Sequence, residues 1–365
     1  MLGSMYFFGG GHFSYFGDDV ICYDIATRTF SRVFGVSPYA QDVTYPPGNA
    51  VTGDEYGPPY NQVVTTRGGW VTAQNAGLDI PYPCHTNNGV EFVPADGGGG
   101  PLGSMVFISH WQTGVRIIQP CLWKFSLSTN TWSRGPDLPS PTVSGGDFGS
   151  THGMAYDTKR KLLWIGSGQS ARVLWVADLN TNTVREVSHF GTYANWITLS
   201  NLVYLEDIDC LWYQSQGTTT PSYWGIDLSS MATASSATSG LTKHALTIAN
   251  PAIDPVNFSG QQVEAGQTSG YVNALDVPTT IYRGGSNRPE MIRLVPPGAT
   301  WKTAGWTWNR ETLNPKNVNE THQFEVRTND GDLQTRARYV PILKSMVYSH
   351  GPSVYAVAAR HSSFV

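Results

Sequence analysis

Residues 5–33, MYFFGGGHFSYFGDDVICYDIATRTFSRV, decide how the rest of the chain is read. Met5, Tyr6, Phe7 and Phe8 form an apolar, aromatic run with the composition of a buried strand. Gly9, Gly10 and Gly11 end it, because consecutive glycines accept positive φ and let neighbouring backbones approach closely. A second β-rich run covers 20–25, and the polar turn Ala26-Thr27-Arg28-Thr29 leads into a third strand at 30–33.

The hairpin recurs. Tyr23-Asp24-Ile25-Ala26-Thr27-Arg28-Thr29-Phe30-Ser31-Arg32 aligns with Phe125-Ser126-Leu127-Ser128-Thr129-Asn130-Thr131-Trp132-Ser133-Arg134. Ala177-Asp178-Leu179-Asn180-Thr181-Asn182-Thr183-Val184-Arg185 is a third copy, and Trp224-Gly225-Ile226-Asp227-Leu228-Ser229 a weaker fourth. Paired β runs lie between the copies, as at 152–156 and 162–166. Asp178 and Asp227 are 49 residues apart.

The glycine turn with His12, the Tyr-Asp-hydrophobic-x-Thr-x-Thr-aromatic hairpin and this spacing resemble kelch-type β-propellers, whose blades repeat at roughly 50 residues. In particular they resemble the galactose-oxidase-like kelch proteins of bacteria and bacteriophages. The resemblance is clear over 5–188 and weaker over 196–359, and it implies one all-β propeller domain over 1–365. Six blades are expected, at 5–36, 85–137, 150–188, 196–247, 260–313 and 334–359. The first begins at its second strand and the sixth lacks an obvious outermost strand. Either a C-terminal strand completes the N-terminal blade or the N-terminus is truncated. The segment 37–84, rich in Pro, Gly and Tyr, reads as an ordered insertion over one face, with a cryptic seventh blade as the alternative. Residues 231–240 read as a low-complexity exposed loop.

Composition narrows the function classes. The chain has 365 residues, 14% of them charged, with a net charge of −4. Nothing resembles the basic footprint of a nucleic-acid binder. The N-terminus has no basic region before an apolar core, and no run reaches the roughly 18 apolar residues of a membrane helix, so neither secretion by a leader nor membrane insertion is expected. Cys22, Cys84, Cys121 and Cys210 form no CxxC pair, and Cys22 and Cys210 are expected as buried free thiols.

No GxSxG elbow, HExxH helix or Walker loop is present. The resemblance raises copper-radical oxidation, which uses a Tyr-His neighbour pair, a further His and a Tyr crosslinked to Cys. Here the nearest approach is Tyr348-Ser349-His350, and no Cys–Tyr partner is assigned although Cys22 abuts Tyr23. The carboxylates Asp18, Asp19, Asp54, Glu55, Asp207, Asp209 and Glu264 offer no spacing that selects a glycosidase pair, and read as turn and surface residues. No metal, cofactor or catalytic residue is therefore expected.

Trp123, Trp132, Trp164, Trp175 and Trp212 fall inside strands and read as packing between blades. Tyr45, Tyr56, Tyr60, Trp70 and Tyr82 fall in the insertion and read as a candidate interface. Propeller topology puts the loop after strand 2 and the entry to strand 1 on one face. His12, His110 and His350 follow second strands, while His85 and His152 precede first strands. These five form a candidate ligand-binding mouth with Arg67, Arg336 and Arg338 nearby. The bland alternative is that each imidazole binds a neighbouring backbone carbonyl.

The expected function is non-catalytic binding within a bacteriophage particle. The protein would be a tail, collar or capsid-associated component contacting other virion proteins or a host-surface glycan, and otherwise resident in the cytoplasm of the producing cell. The competing class is a carbohydrate-active or copper-type oxidising enzyme on the same scaffold.

Overall fold

A computed structural model describes residues 3–8, 20–35, 89–108, 121–139, 152–167, 173–189, 202–216, 221–231, 241–253, 272–283, 289–312, 337–350 and 353–358. The described residues form strands, turns and short 3-10 segments, with no α-helix among them. The chain divides into two compact units, 1–193 and 194–365.

The first unit holds three antiparallel sheets. Sheet 1 contains β1 (Ser4–Phe8), β2 (Val20–Asp24) and β3 (Thr29–Phe34). Sheet 2 contains β4 (Val90–Val93), β5 (Ser104–Ile108), β6 (Cys121–Ser126) and β7 (Thr131–Asp137). Sheet 3 contains β8 (His152–Asp157), β9 (Leu162–Ser167), β10 (Val173–Asp178) and β11 (Thr183–His189).

The second unit holds three more. Sheet 4 contains β12 (Leu202–Leu205), β13 (Cys210–Gln216), β14 (Pro221–Asp227) and β15 (Thr242–Ala245). Sheet 5 contains β16 (Val272–Asn273), β17 (Pro278–Arg283), β18 (Pro289–Val295) and β19 (Thr307–Thr312). Sheet 6 contains β20 (Ala337–Val340), β21 (Ser345–His350) and β22 (Ser353–Ala358).

Each sheet is an up-and-down meander whose strands pair in chain order. Within a unit the first strands of successive sheets approach one another, β4 with β8, and β12 with β16 and β16 with β20. Successive meanders stacked face to face make a fold of all-β propeller type. The expectation of six blades, the first and sixth each short of a strand, or of seven, is corrected: among the described residues only four sheets carry the four strands of a full blade. The hairpin signature marks a sheet but not how many strands it holds, and sheets 1 and 6 hold three each. The insertion 37–84, with its alternative seventh blade, lies outside the described residues.

Alternating side chains seal the sheets to each other. Phe8 and Val20 of sheet 1 pack with Met105, Phe107, Trp123, Phe125 and Trp132 of sheet 2. The opposite face of sheet 2 (Val106, Ile108, Leu122) packs with Met154, Leu163, Ile165 and Trp175 of sheet 3. In the second unit Trp212 and Tyr223 of sheet 4 pack with Ile292, Leu294 and Trp308 of sheet 5. Trp123, Trp132, Trp175 and Trp212 thus lie between sheets, as their composition implied, while Trp164 is buried with its indole N–H on Asp157. Cys22, Cys121 and Cys210 are buried free thiols. Trp301 and Trp306, at the far end of the weakest repeat, belong to the same core.

Candidate functional site

Each sheet has two ends. The turn end carries the connections from strand 1 to 2 and from strand 3 to 4; the loop end carries those from strand 2 to 3 and from each sheet to the next. Their chemistry differs.

At the turn end the recurrent hairpin is a hydrogen-bonded turn. Thr27 donates its backbone N–H (2.7 Å) and its hydroxyl (3.0 Å) to the Asp24 carboxylate. The hydroxyls of Thr27 and Thr29 are 2.7 Å apart. The same pairing joins Thr129 with Thr131 at 2.7 Å and Thr181 with Thr183 at 2.9 Å. Asp178 accepts from the N–H groups of Asn180 and Thr181. Arg28, Asn130 and Asn182 close these turns in the left-handed region, at φ 60°, 54° and 55°. Backbone bonding at Asp24 holds its carboxyl below the ordinary range. The Thr-x-Thr signature is therefore accounted for by turn geometry.

The strand 1–2 turns are also committed to structure. Asp157 is fully buried and accepts from the N–H groups of Lys159 (3.0 Å) and Arg160 (2.8 Å). It also accepts from the Arg160 guanidinium (2.9 Å) and the Trp164 indole (3.3 Å). Lys161 pairs with Asp96 at 2.7 Å, tying sheet 3 to sheet 2. Burial pushes the Tyr156 phenol up to about 12, with Asp96 and Asp157 adding to the effect. In the second unit Asp276 accepts from the N–H groups of Glu206 (2.7 Å) and Asp207 (3.0 Å). Burial raises its carboxyl nonetheless.

Asp227 opposes that direction. Burial raises its carboxyl, but bonds from Lys302 and Ser229 outweigh it and the net shift is downward. A carboxyl depressed by folding supplies stability above its unfolded pKa of roughly 4 and loses it as pH falls through the folded value. Asp227→Asn is accordingly expected to flatten the acid limb of the stability curve below about pH 4, measured by urea denaturation across pH. An unchanged limb would show that the Lys302 contact contributes nothing.

Of the candidate residues, His152, His350 and Arg338 are among the described ones. The Cα of His152 pairs with Ser167, and that of His350 with Ser353, so each histidine stands at the loop end of its own sheet. They belong to different units. Arg338 is half-buried in β20, its Cα paired with that of Val347. His12, His85, His110, Arg67 and Arg336 lie outside the described residues, as do Tyr45, Tyr56, Tyr60, Trp70 and Tyr82. Among the described residues no three His, Cys, Asp or Glu side chains are grouped to hold a metal ion.

Sequence reasoning missed the loop-end ion pair of sheet 5. Glu290 at the start of β18 is 3% exposed and is gripped through two guanidinium nitrogens of Arg310 from β19. The only signal was a charge at a strand entry. Its burial follows from sharing a face with Ile292 and Trp308, which turn into the core.

No protein-family profile matches this chain, and no curated protein matches it. Among solved structures it is similar to an oligogalacturonate lyase in complex with manganese. That similarity has TM-score 0.40 and 12% identity, over 95% of this chain and 73% of that one. It is also similar to TolB from Acinetobacter baumannii, with TM-score 0.36 and 11% identity, over 92% and 71% of the two chains. Neither likeness bears on what this chain binds or catalyses.

Proposed function

We propose that this chain is a non-catalytic, kelch-type propeller protein of a bacteriophage particle, contacting other virion proteins or a host-surface glycan through the loop end of its sheets. The observation that carries the binding reading is the contrast between the two ends. Turn-end carboxylates and hydroxyls are consumed by backbone and neighbouring side chains. The loop end receives the long connections, above all the one from Phe34 to Val90. Long loops on a rigid scaffold are where binding residues concentrate. The virion setting rests on the sequence resemblance.

The test has two arms. Deleting residues 43–60 is expected to leave cooperative unfolding intact while abolishing incorporation into particles, read by mass spectrometry of purified virions. Replacing His12, His85 and His152 together by alanine is expected to spare the fold and remove retention on a glycan array. Loss of cooperativity in the deletion, or array binding unaffected by the triple change, would overturn the corresponding half.

A further inference from the structure

The interfaces between sheets 1 and 2, 2 and 3, and 4 and 5 are closed toward the loop end by residues in equivalent places. Strand register fixes the equivalence. On second strands, Phe8, Ile108 and Gln214 stand four residues beyond Ser4, Ser104 and Cys210, whose Cα partners are Asp24, Ser126 and Asp227 of the hairpins. On third strands, Cys121, Val173 and Glu290 stand five residues before Ser126, Asp178 and Val295, whose partners are Thr131, Thr183 and Thr307. Phe8 and Cys121 share one core, and Ile108 and Val173 share another. Two interfaces are thus plugged by apolar pairs.

The interface between sheets 4 and 5 is plugged by polar residues instead. Gln214 lies two residues from Trp212, and Glu290 two from Ile292. Strand alternation therefore turns both toward the core that Trp212, Tyr223, Ile292 and Trp308 build between the two sheets. Gln214 is 7% exposed and Glu290 3%. The frame around them is unchanged, because Trp308 and Arg310 follow Thr307 as Trp132 and Arg134 follow Thr131. Arg134 pairs with Asp137 of its own strand, whereas Arg310 pairs with Glu290 across the plug.

Gln214 supplies the observation that points to a ligand. Its Oε1 is buried and has no hydrogen-bond partner among the described residues. A buried amide oxygen without a donor is destabilising. Ile108 closes the same place in sheet 2 at no such cost, so packing does not account for the glutamine.

The charges define what fits. Glu290 and Arg310 neutralise each other through two guanidinium nitrogens. A cation would meet the guanidinium and an anion the carboxylate, so the fitting group is neutral. A hydroxyl donates to the Gln214 Oε1 and accepts from Arg310 at once. The opening is narrow, since both plug residues are buried and the Arg310 side chain, 26% exposed, is what reaches solvent. The hydroxymethyl arm of a pyranose fits such an opening; the whole ring does not.

We propose that the loop end of the interface between sheets 4 and 5 is a saccharide subsite, where Gln214 and the Glu290–Arg310 pair take the primary hydroxyl of a neutral hexose. This rests on the host-glycan reading above and gives it a place on the molecule.

The full chain, labelled with nitrogen-15 in glutamine and arginine, is titrated with methyl glucopyranoside and methyl mannopyranoside. The Gln214 side-chain amide and the Arg310 Nε–H resonances are expected to shift together and to saturate. The 6-deoxy glycosides, which lack the primary hydroxyl, are expected to bind about tenfold more weakly or worse. Gln214→Leu is expected to weaken binding of the parent glycosides by a similar factor, read at Arg310. It is expected not to lower the melting temperature, because it restores the apolar plug of the other interfaces. A melting temperature lowered by Gln214→Leu would mean that the chain's own residues bond the amide, and would overturn the proposal. Resonances unmoved by every glycoside would leave the oxygen to a water only and would overturn it too. Retention on the glycan array in that case would keep the wider glycan reading, which falls with the subsite only if the array is blank as well. Glycoside binding indifferent to Gln214→Leu but lost when His12, His85 and His152 are replaced by alanine would overturn the subsite and keep that reading.

Discussion

Asp157→Ala is expected to lower the unfolding free energy by about 3–5 kcal/mol, the loss typical of a buried ion pair broken on one side. The carboxylate is fully buried and the Arg160 side chain beside it is 5% exposed. Removal takes one acceptor from two backbone N–H groups, a guanidinium and the Trp164 indole at once. At this fully buried position each donor left unpaired bears a desolvation cost. Asp157→Asn keeps an oxygen for the two backbone donors but gives up the charge and the acceptor of Arg160 and Trp164, so its loss should be smaller than that of alanine. Asp178→Ala is the control: the same kind of turn, but with an exposed network of backbone N–H bonds, for which about 1 kcal/mol is expected. Urea denaturation of the three variants decides the matter. Equal midpoints for Asp157→Ala and Asp178→Ala would mean that the buried pair contributes no more than a surface turn.

Asp157 also shows where the sequence stops being legible. Asp157-Thr158-Lys159-Arg160-Lys161 has the composition of a solvated charged hairpin. Its burial is decided by Arg160 folding back and by Trp164 on the neighbouring strand, neither of which periodicity reveals. The Asp24, Ser126 and Asp178 hairpins were readable because their hydrogen bonds close within three residues. Trp123, Trp132, Trp175 and Trp212 were readable because a large ring in an alternating strand packs between sheets. Strand number was not: β16 is two residues long and β15 is only half-buried, so neither stands out from a loop. The repeated Gly-Ser-Met at 3–5 and 103–105, with Ser345-Met346, would have aligned the second strands directly. Of the histidine mouth, His152 begins β8 and His350 ends β21, and the other three histidines lie outside the described residues.

Gly225→Ala is expected to cost about 2–3 kcal/mol, at the upper end for overpacking a core, although it adds one methyl to a β-strand whose backbone any residue could adopt. A Cβ at Gly225 would lie 2.4 Å from the Trp301 ring and 2.9 Å from the Cys210 sulfur. Three contacts keep that ring from yielding. Its own backbone carbonyl accepts from the Trp306 indole at 2.9 Å, its face meets Trp306 and His244 edge-on, and the next residue, Lys302, is held by Asp227. Cys210 is no softer, being fully buried with its thiol pushed well up by burial and by the nearby Asp227 charge. The glycine is thus the contact point at which sheet 4 accepts the strand 3–4 turn of sheet 5, and it explains why the weakest hairpin copy reads Trp224-Gly225-Ile226-Asp227. Gly35→Ala, with nothing within 4 Å of the new methyl, should leave stability unchanged. Trp301→Leu would open space at the same spot, so combining it with Gly225→Ala should cost less than the two single losses added together. Denaturation followed by tryptophan fluorescence reads all four variants. Strict additivity would mean that the methyl meets something other than the Trp301 ring.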